Sequence, residues 1–162
     1  MIRKATSEDF SFIYGLYMHP LVNGYLLYEM MNAATFQPIF TDLVFQQILY
    51  VYEHHNEKIG MVKLVPLTYR SSHVVYCGGV AIHPNVAGKG HGLTMMQEAI
   101  DYLKENGFLR IELSVTSDNN RAVHLYEKVG FKKIGILHKY CYLQSKNIYE
   151  DEWMMEYLMV EG

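Results

Sequence analysis

The segment Gly79-Val-Ala-Ile-His-Pro-Asn-Val-Ala-Gly-Lys-Gly-His-Gly-Leu93 constrains this chain more than any other. An apolar, strand-like run ends at His83-Pro84, and glycines then stand at 88, 90 and 92. From about Leu93 the apolar residues Leu93, Met96, Ile100 and Leu103 recur at helical spacing, with Gln97, Glu98, Asp101, Lys104 and Glu105 between them. Strand, glycine loop and amphipathic helix in that order make a phosphate cradle. Glycine permits positive φ and carries no β-carbon, so an oxyanion can approach successive main-chain N–H groups. The first unpaired N–H groups of the helix, and the positive end of its dipole, point at the same place. Two better-known phosphate loops do not match. A P-loop needs Ser or Thr after its Gly-Lys, and here Lys89 is followed by Gly90; the dinucleotide fingerprint wants G-x-G-x-x-G, and this is G-x-G-x-G. Taken alone, the segment is equally a plain turn joining strand to helix.

A second motif lies about thirty residues further on: Asn119-x-x-Ala122-x-x-Leu125-Tyr126-Glu127-Lys128-x-Gly130-Phe131, after the strand-like run Leu109 to Val115. Ser117 or Asp118 can cap a helix with Ala122, Leu125, Tyr126 and Val129 along one side, and Gly130 suits the left-handed position that ends it. On periodicity alone Tyr126 is a core aromatic.

Together these residues resemble the GNAT superfamily of N-acyltransferases, which use acetyl-CoA or another acyl-CoA. The glycine segment is similar to that family's pyrophosphate motif R/Q-x-x-G-x-G/A, with Gly90 and Gly92 as its last glycines. The segment from Asn119 to Phe131 is similar to its N-x-x-A-x-x-L-Y-x-x-x-G-F hallmark. The resemblance implies an N-acetyltransferase, with acetyl-CoA as donor and the primary amine of a small molecule, protein or peptide as acceptor. Val80, Ala81 and Ile82 would hold the pantetheine arm by their main chain, and the segment Ala87, Gly88, Lys89, Gly90, His91 and Gly92 would hold the pyrophosphate. Asn119 would contact the cofactor, and Tyr126 would act as general acid to the CoA sulfur. Ala87 departs from the family's usual Arg or Gln, so a side chain that commonly helps the pyrophosphate is absent; Lys89 or His91 can supply charge. That departure, with no obvious general base, leaves a weak or inactive acyl-CoA-binding module as the alternative.

The base is not assigned by the sequence. Tyr76 and Ser114 stand where some relatives carry Glu, and a water relay from Glu112, His73 or the substrate loop stays open. Relatives commonly use the stretch between the first two helices as a substrate lid. Here it contains Tyr25, Tyr28, Glu29, Met30, Met31 and Phe36; Tyr28 and Glu29 are the acceptor-binding candidates, while core or dimer cover explains the same residues equally.

The expected architecture is a single α/β (or α+β) domain over 1–162, with a mixed, mostly antiparallel sheet flanked by helices. Residues 1 to 5 read as a strand, and Thr6 or Ser7 caps a helix to about Tyr17. A second helix is expected from about Pro38 to Ile48, followed by strands at Tyr50–His55 and Ile59–Pro66 joined through Asn56-Glu57-Lys58. Further strands are expected at Val74–Ile82, Phe131–Leu143 and Tyr149–Met159, the last reading as buried on both sides. A formal charge of −3 argues against non-specific nucleic-acid binding. The polar amino terminus and the lack of a membrane-length apolar run lead to an expectation of cytoplasmic location without membrane association. A homodimer is allowed. Cys77 and Cys141 read as free core thiols. His54 and His55, adjacent on a strand, would face opposite sides, and no metal-ligand spacing occurs, so no metal is expected.

Overall fold

The computed structural model describes residues 1–160. In chain order the elements are β1 (Ile2–Lys4), α1 (Phe10–Tyr17), α2 (Ala33–Phe45), β2 (Leu49–His54), β3 (Glu57–Pro66), β4 (Val74–Ile82), α3 (His91–Glu105), β5 (Arg110–Thr116), α4 (Asn120–Val129), β6 (Lys132–Leu143) and β7 (Ile148–Leu158). The seven strands form a sheet in the order β1-β2-β3-β4-β5-β7-β6. Pairing is antiparallel for β1–β2, β2–β3, β5–β7 and β6–β7 and parallel for β4–β5, which is the mixed, mostly antiparallel class expected. The chain divides into two compact units, Met1–Leu64 with Gly79–Met95, and Val65–Gly78 with the chain from Met96 onward.

The first unit is built on aromatic side chains. Ile13, Leu16 and Tyr17 of α1 are buried with Phe36, Phe40 and Leu43 of α2, Leu49 and Val51 of β2, and Met61 of β3. Phe36, Phe40 and Leu43 recur at helical spacing, so one face of α2 carries all three, and each such burial contributes roughly 1.5–3 kcal/mol. The second helix begins five residues before its expected start. The Asn32 side chain accepts from the Thr35 N–H at 2.8 Å and sets the first turn, leaving Pro38 inside the helix. A proline suits a first turn but does not mark one when a better cap precedes it. The β2–β3 turn is also tighter than expected. His55 and Asn56 alone make it, with φ of 51° and 64°, and Glu57 and Lys58 already belong to β3; two positive φ values suit the right-handed twist of a hairpin.

In the second unit β4 enters parallel to β5, with Val74, Val75 and Tyr76 opposite Arg110, Ile111 and Glu112. Its buried residues include Cys77, Met96, Ile100, Leu103, Ile111, Leu113, Val123, Tyr126 and Phe131. Gly130 ends α4 with φ 115°, as its position predicted; a β-carbon there would lie 2.9 Å from the Tyr157 ring. The expectation that the last strand is buried on both sides is overturned. Only Met155 of β7 is buried, because Glu150, Asp151, Glu152 and Glu156 break the apolar run and β6 beside it is largely exposed. Cys141, on β6, is likewise half-buried and not a core thiol. The β6–β7 register slips between Leu137 and Cys141, where Lys139 takes φ 50° and its N–H donates to Asp151 Oδ1 at 2.8 Å.

The first unit also holds a buried carboxylate. Asp9, 1% exposed, accepts from Arg3 Nη1 and Nη2 at 2.9 Å each and from the Thr6 N–H at 2.8 Å, and Lys58 Nζ lies 2.8 Å away. Arg3 Nε also donates to Glu53 Oε1 at 2.9 Å, so strands β1, β2 and β3 converge on the residue just before α1. Burial alone would raise the Asp9 pKa, but Arg3, Lys58 and the Thr6 N–H outweigh it and hold the group well below the usual carboxylate range. A depressed folded pKa contributes stability that is complete above the unfolded value near 3.9 and is lost as pH falls through the folded value. Asp9→Asn should therefore lower the unfolding free energy at pH 7 by about 2–4 kcal/mol, somewhat less than for a fully buried pair because Arg3 and Lys58 are a third exposed. Urea denaturation between pH 7 and 2 should show a flatter acid limb for the variant than for the native chain.

Candidate active site

The glycine loop lies within the first unit. Gly88 and Gly90 take φ of +79° and +82°, and a β-carbon built on either meets nothing within 4 Å. The conformation is thus one that glycine favours, and the space over it is open. The Gly90 carbonyl accepts both the Thr94 N–H and the Thr94 hydroxyl at 3.2 Å, so α3 opens there and the N–H groups of His91, Gly92 and Leu93 lack intrahelical acceptors. Gly92 differs from expectation. It sits inside α3, whose helix starts at His91, and is not among the positive-φ glycines. Ala87 and Lys89 are exposed on the loop.

Val80, Ala81 and Ile82 are the last residues of β4, and the next residue has a structural task. The His83 N–H donates to the Ile59 carbonyl at 2.7 Å and its Nδ1 accepts from the Asn85 N–H at 3.2 Å, starting the turn Pro84–Val86. The expected separation of His54 and His55 is overturned. His54 ends β2 and His55 lies in the left-handed turn, so strand alternation stops and their rings meet at 4.0 Å; the His91 ring lies 4.7 Å from His54. Desolvation, then His55, His91 and the amino terminus, push the His54 pKa down. Among the described residues no group of three or more His, Cys, Asp or Glu is placed to hold a metal ion.

A second cluster in this unit was not singled out from sequence. The Tyr17 hydroxyl is buried without a hydrogen-bond partner and lies 2.8 Å from where a β-carbon on Gly79 would stand; the Lys63 Cβ is 3.5 Å from the same point. Gly79, at φ +56°, admits the phenol because it has no side chain. Lys63 is a half-buried cation between Val62 and Leu64 of β3, with Nζ 5.7 Å from the centroid of the Tyr28 ring. Asn23 fixes the segment that carries Tyr28, its Nδ2 donating to the Tyr17 carbonyl at 2.8 Å and the Tyr28 carbonyl at 2.9 Å. Of the expected lid residues, Phe36 belongs to the core, Tyr28 packs on Tyr17 and Phe36, Glu29 is half-buried, and Tyr25 and Met30 are exposed. The sequence signal for the cluster was a lysine interrupting the apolar run of β3.

The second unit holds the Tyr126 cluster. Tyr126 is 7% exposed, with its ring 5.9 Å from Phe131; burial, then the Cys77 thiol and the Tyr76 phenol, hold its pKa far above the ordinary phenol value. It stays protonated and can donate a hydrogen bond. Burial pushes the Cys77 thiol up to about 12, so it carries almost no thiolate at neutral pH and is inert as a nucleophile. Asn119, expected to contact a cofactor, is the cap of α4: its side-chain oxygen accepts from the Ala122 N–H at 3.3 Å, taking the place foreseen for Ser117 or Asp118. At the two positions where some relatives carry Glu, Tyr76 Oη and Ser114 Oγ share a hydrogen bond of 2.8 Å; of the base candidates, Glu112 is engaged by Arg110 Nε at 2.9 Å, and His73 is exposed before the first residue of β4.

Residues 12–131 match the Acetyltransferase (GNAT) family, and the chain belongs to that family. Among curated relatives it is 34% identical over 86 residues to a mycothiol acetyltransferase of Renibacterium salmoninarum, covering 53% of this chain and 25% of the relative. It is 32% identical over 94 residues to a spermidine N(1)-acetyltransferase of Vibrio cholerae, covering 57% and 52%. The matches thus span a quarter to about half of those relatives. A crystal structure of spermidine N-acetyltransferase from Vibrio cholerae in complex with CoA and spermine superposes with a TM-score of 0.85 at 24% identity, covering 98% of this chain and 94% of that one, which shows the fold. No described helix is long and apolar enough to cross a membrane.

The unpartnered Tyr17 hydroxyl carries a stability prediction. A buried donor without an acceptor retains its full desolvation penalty, so Tyr17→Phe should leave the fold unchanged or stabilise it by up to about 1 kcal/mol in urea denaturation.

Proposed function

We propose that the protein transfers an acetyl group from acetyl-CoA to a primary amine. The observation that carries this reading is the open glycine loop at Gly88 and Gly90 at the start of α3, in a chain of the GNAT family. The diphosphate would accept hydrogen bonds from the N–H groups of the loop and of the first turn of α3, where the helix dipole favours an anion. Lys89 and His91 would add charge in place of the side chain that Ala87 lacks. The pantetheine arm would run along the main chain of Val80–Ile82; the ladder between β4 and β5 stops at Tyr76 and Glu112, which supports a strand whose later residues serve a ligand. The remaining side-chain amide group of Asn119 would face the cofactor while its oxygen caps α4.

Acyl transfer needs a neutral amine, stabilisation of the tetrahedral oxyanion and a proton donor for the departing thiolate. Tyr126 would fill the last role. Its raised pKa makes complete proton transfer unfavourable to a solvated thiolate near 8.5, but the same burial raises the pKa of a sulfur beside it and leaves a strong hydrogen bond to the developing charge. The amine would lose its proton through water, since Glu112 is engaged by Arg110.

Saturating CoA or acetyl-CoA, and not NAD or ATP, should raise the melting temperature; a hundredfold excess over Kd corresponds to about 2.7 kcal/mol. Gly90→Val should abolish this shift while the far-UV spectrum persists, and Ala87→Arg should enlarge it. An unchanged CoA response in Gly90→Val would displace the cradle. Tyr126→Phe should lower kcat roughly 10- to 1,000-fold with little change in the acetyl-CoA KM, followed as thiol release with an acceptor for which chemistry is rate-limiting. Native turnover in that variant would return Tyr126 to a packing role.

A further inference from the structure

Resting on the acyltransferase reading above, we propose that Tyr17 and Lys63, beneath Tyr28, bind a carboxylate carried by the acceptor amine. The two groups lack something in common. The Tyr17 hydroxyl is a buried donor with no acceptor, and Lys63 is a half-buried ammonium with no carboxylate paired to it among the described residues. Elsewhere in the same unit Arg3 and Lys58 are paired with Asp9 and Arg3 also with Glu53, whereas Lys4, which donates to Gln47, and Lys89 are exposed to water. Lys63 and Tyr17 meet at one glycine, the Lys63 Cβ lying 3.5 Å and the phenol oxygen 2.8 Å from the position a Gly79 β-carbon would take, and a half-buried charge and a buried hydroxyl left single there are costly unless a ligand completes both.

A carboxylate meets the requirement. It carries one negative charge against the one positive charge of Lys63, and its two oxygens accept from an ammonium and a phenol at once. Desolvation lowers the Lys63 pKa, and an arriving anion would raise it again. A second ammonium on the acceptor, as in a polyamine, would be repelled by the same lysine. Position agrees: the phenol abuts Gly79, which directly precedes the Val80–Ile82 run assigned to the pantetheine arm. The carboxylate would therefore be held at the acyl end of the donor, where the Lys63 ammonium lies 5.7 Å from the centroid of the Tyr28 ring.

The test uses the full chain, acetyl-CoA and matched acceptors: L-methionine, L-phenylalanine and L-lysine, each against the amine formed by removing its carboxylate, with spermidine as the polycation. Thiol release should give kcat/KM about 10- to 100-fold higher for an amino acid than for its decarboxylated partner. In Lys63→Met that preference should vanish, through a higher acceptor KM at unchanged acetyl-CoA KM, and Tyr17→Phe should reduce it while staying at least as heat-stable as the native chain. Native preference for spermidine or for the carboxylate-free amines, or a carboxylate preference that survives in Lys63→Met, would overturn the assignment. A binding arm covers a chain that turns nothing over. With CoA saturating, each amino acid should raise the native melting temperature and leave that of Lys63→Met unmoved; equal shifts or none in both would overturn the subsite. Failure of the acyltransferase reading looks different, because CoA itself would then give no shift.

Discussion

The left-handed turn of Gly79 inside β4 is the constraint on which much of this molecule depends. A strand residue at φ +56° interrupts the regular pleat, and the missing β-carbon lets the Tyr17 phenol come to 2.8 Å of the vacant position. Any side chain there would meet that ring and would also have to adopt a conformation that L-residues avoid. The α1 aromatic layer, the Lys63 Cβ and the last residues of β4 before the glycine loop all meet at this one close approach.

How far the sequence discloses such a structure depends on whether the deciding interactions are local. The limits of β4, the left-handed Gly130 and the glycines at 88 and 90 were legible because each is fixed by the backbone preferences of the residue itself or by an unbroken apolar run. The start of α2 was not, because Asn32 and Pro38 both signal helix entry and only the earlier one caps. Burial of β7 was misjudged for another reason. Trp153, Met154 and Met155 look like core, but their exposure depends on β6, whose own pattern gives no warning that it stays open. Tyr17 and Lys63 lie far apart in sequence, and nothing in spacing or composition brings them to one glycine.

The candidate site illustrates two uses of burial on ionisable groups. At Tyr126 and Cys77 burial keeps a proton in place, which suits one group for donating and disables the other as a nucleophile. At Asp9 ionic partners overcome burial and keep a charge where it braces three strands. Lys63 stands between these cases, a cation partly withdrawn from water and set over the Tyr28 ring.

The irregularity at Lys139 has a bearing on how this chain behaves in a crowded solution. β6 closes one side of the sheet, is 12 residues long and exposes Ile134, Ile136, Tyr140 and Tyr142. A ribbon of that length with a free margin is a template on which other chains could polymerise. The register slip between Leu137 and Cys141, fastened by Asp151, splits the margin into two shorter stretches that are out of step, and Lys132, Lys133 and Lys139 add like charges along it. Fastened by Asp151, the slip keeps the exposed margin from being one continuous seam, as edge strands that resist fibre growth are built.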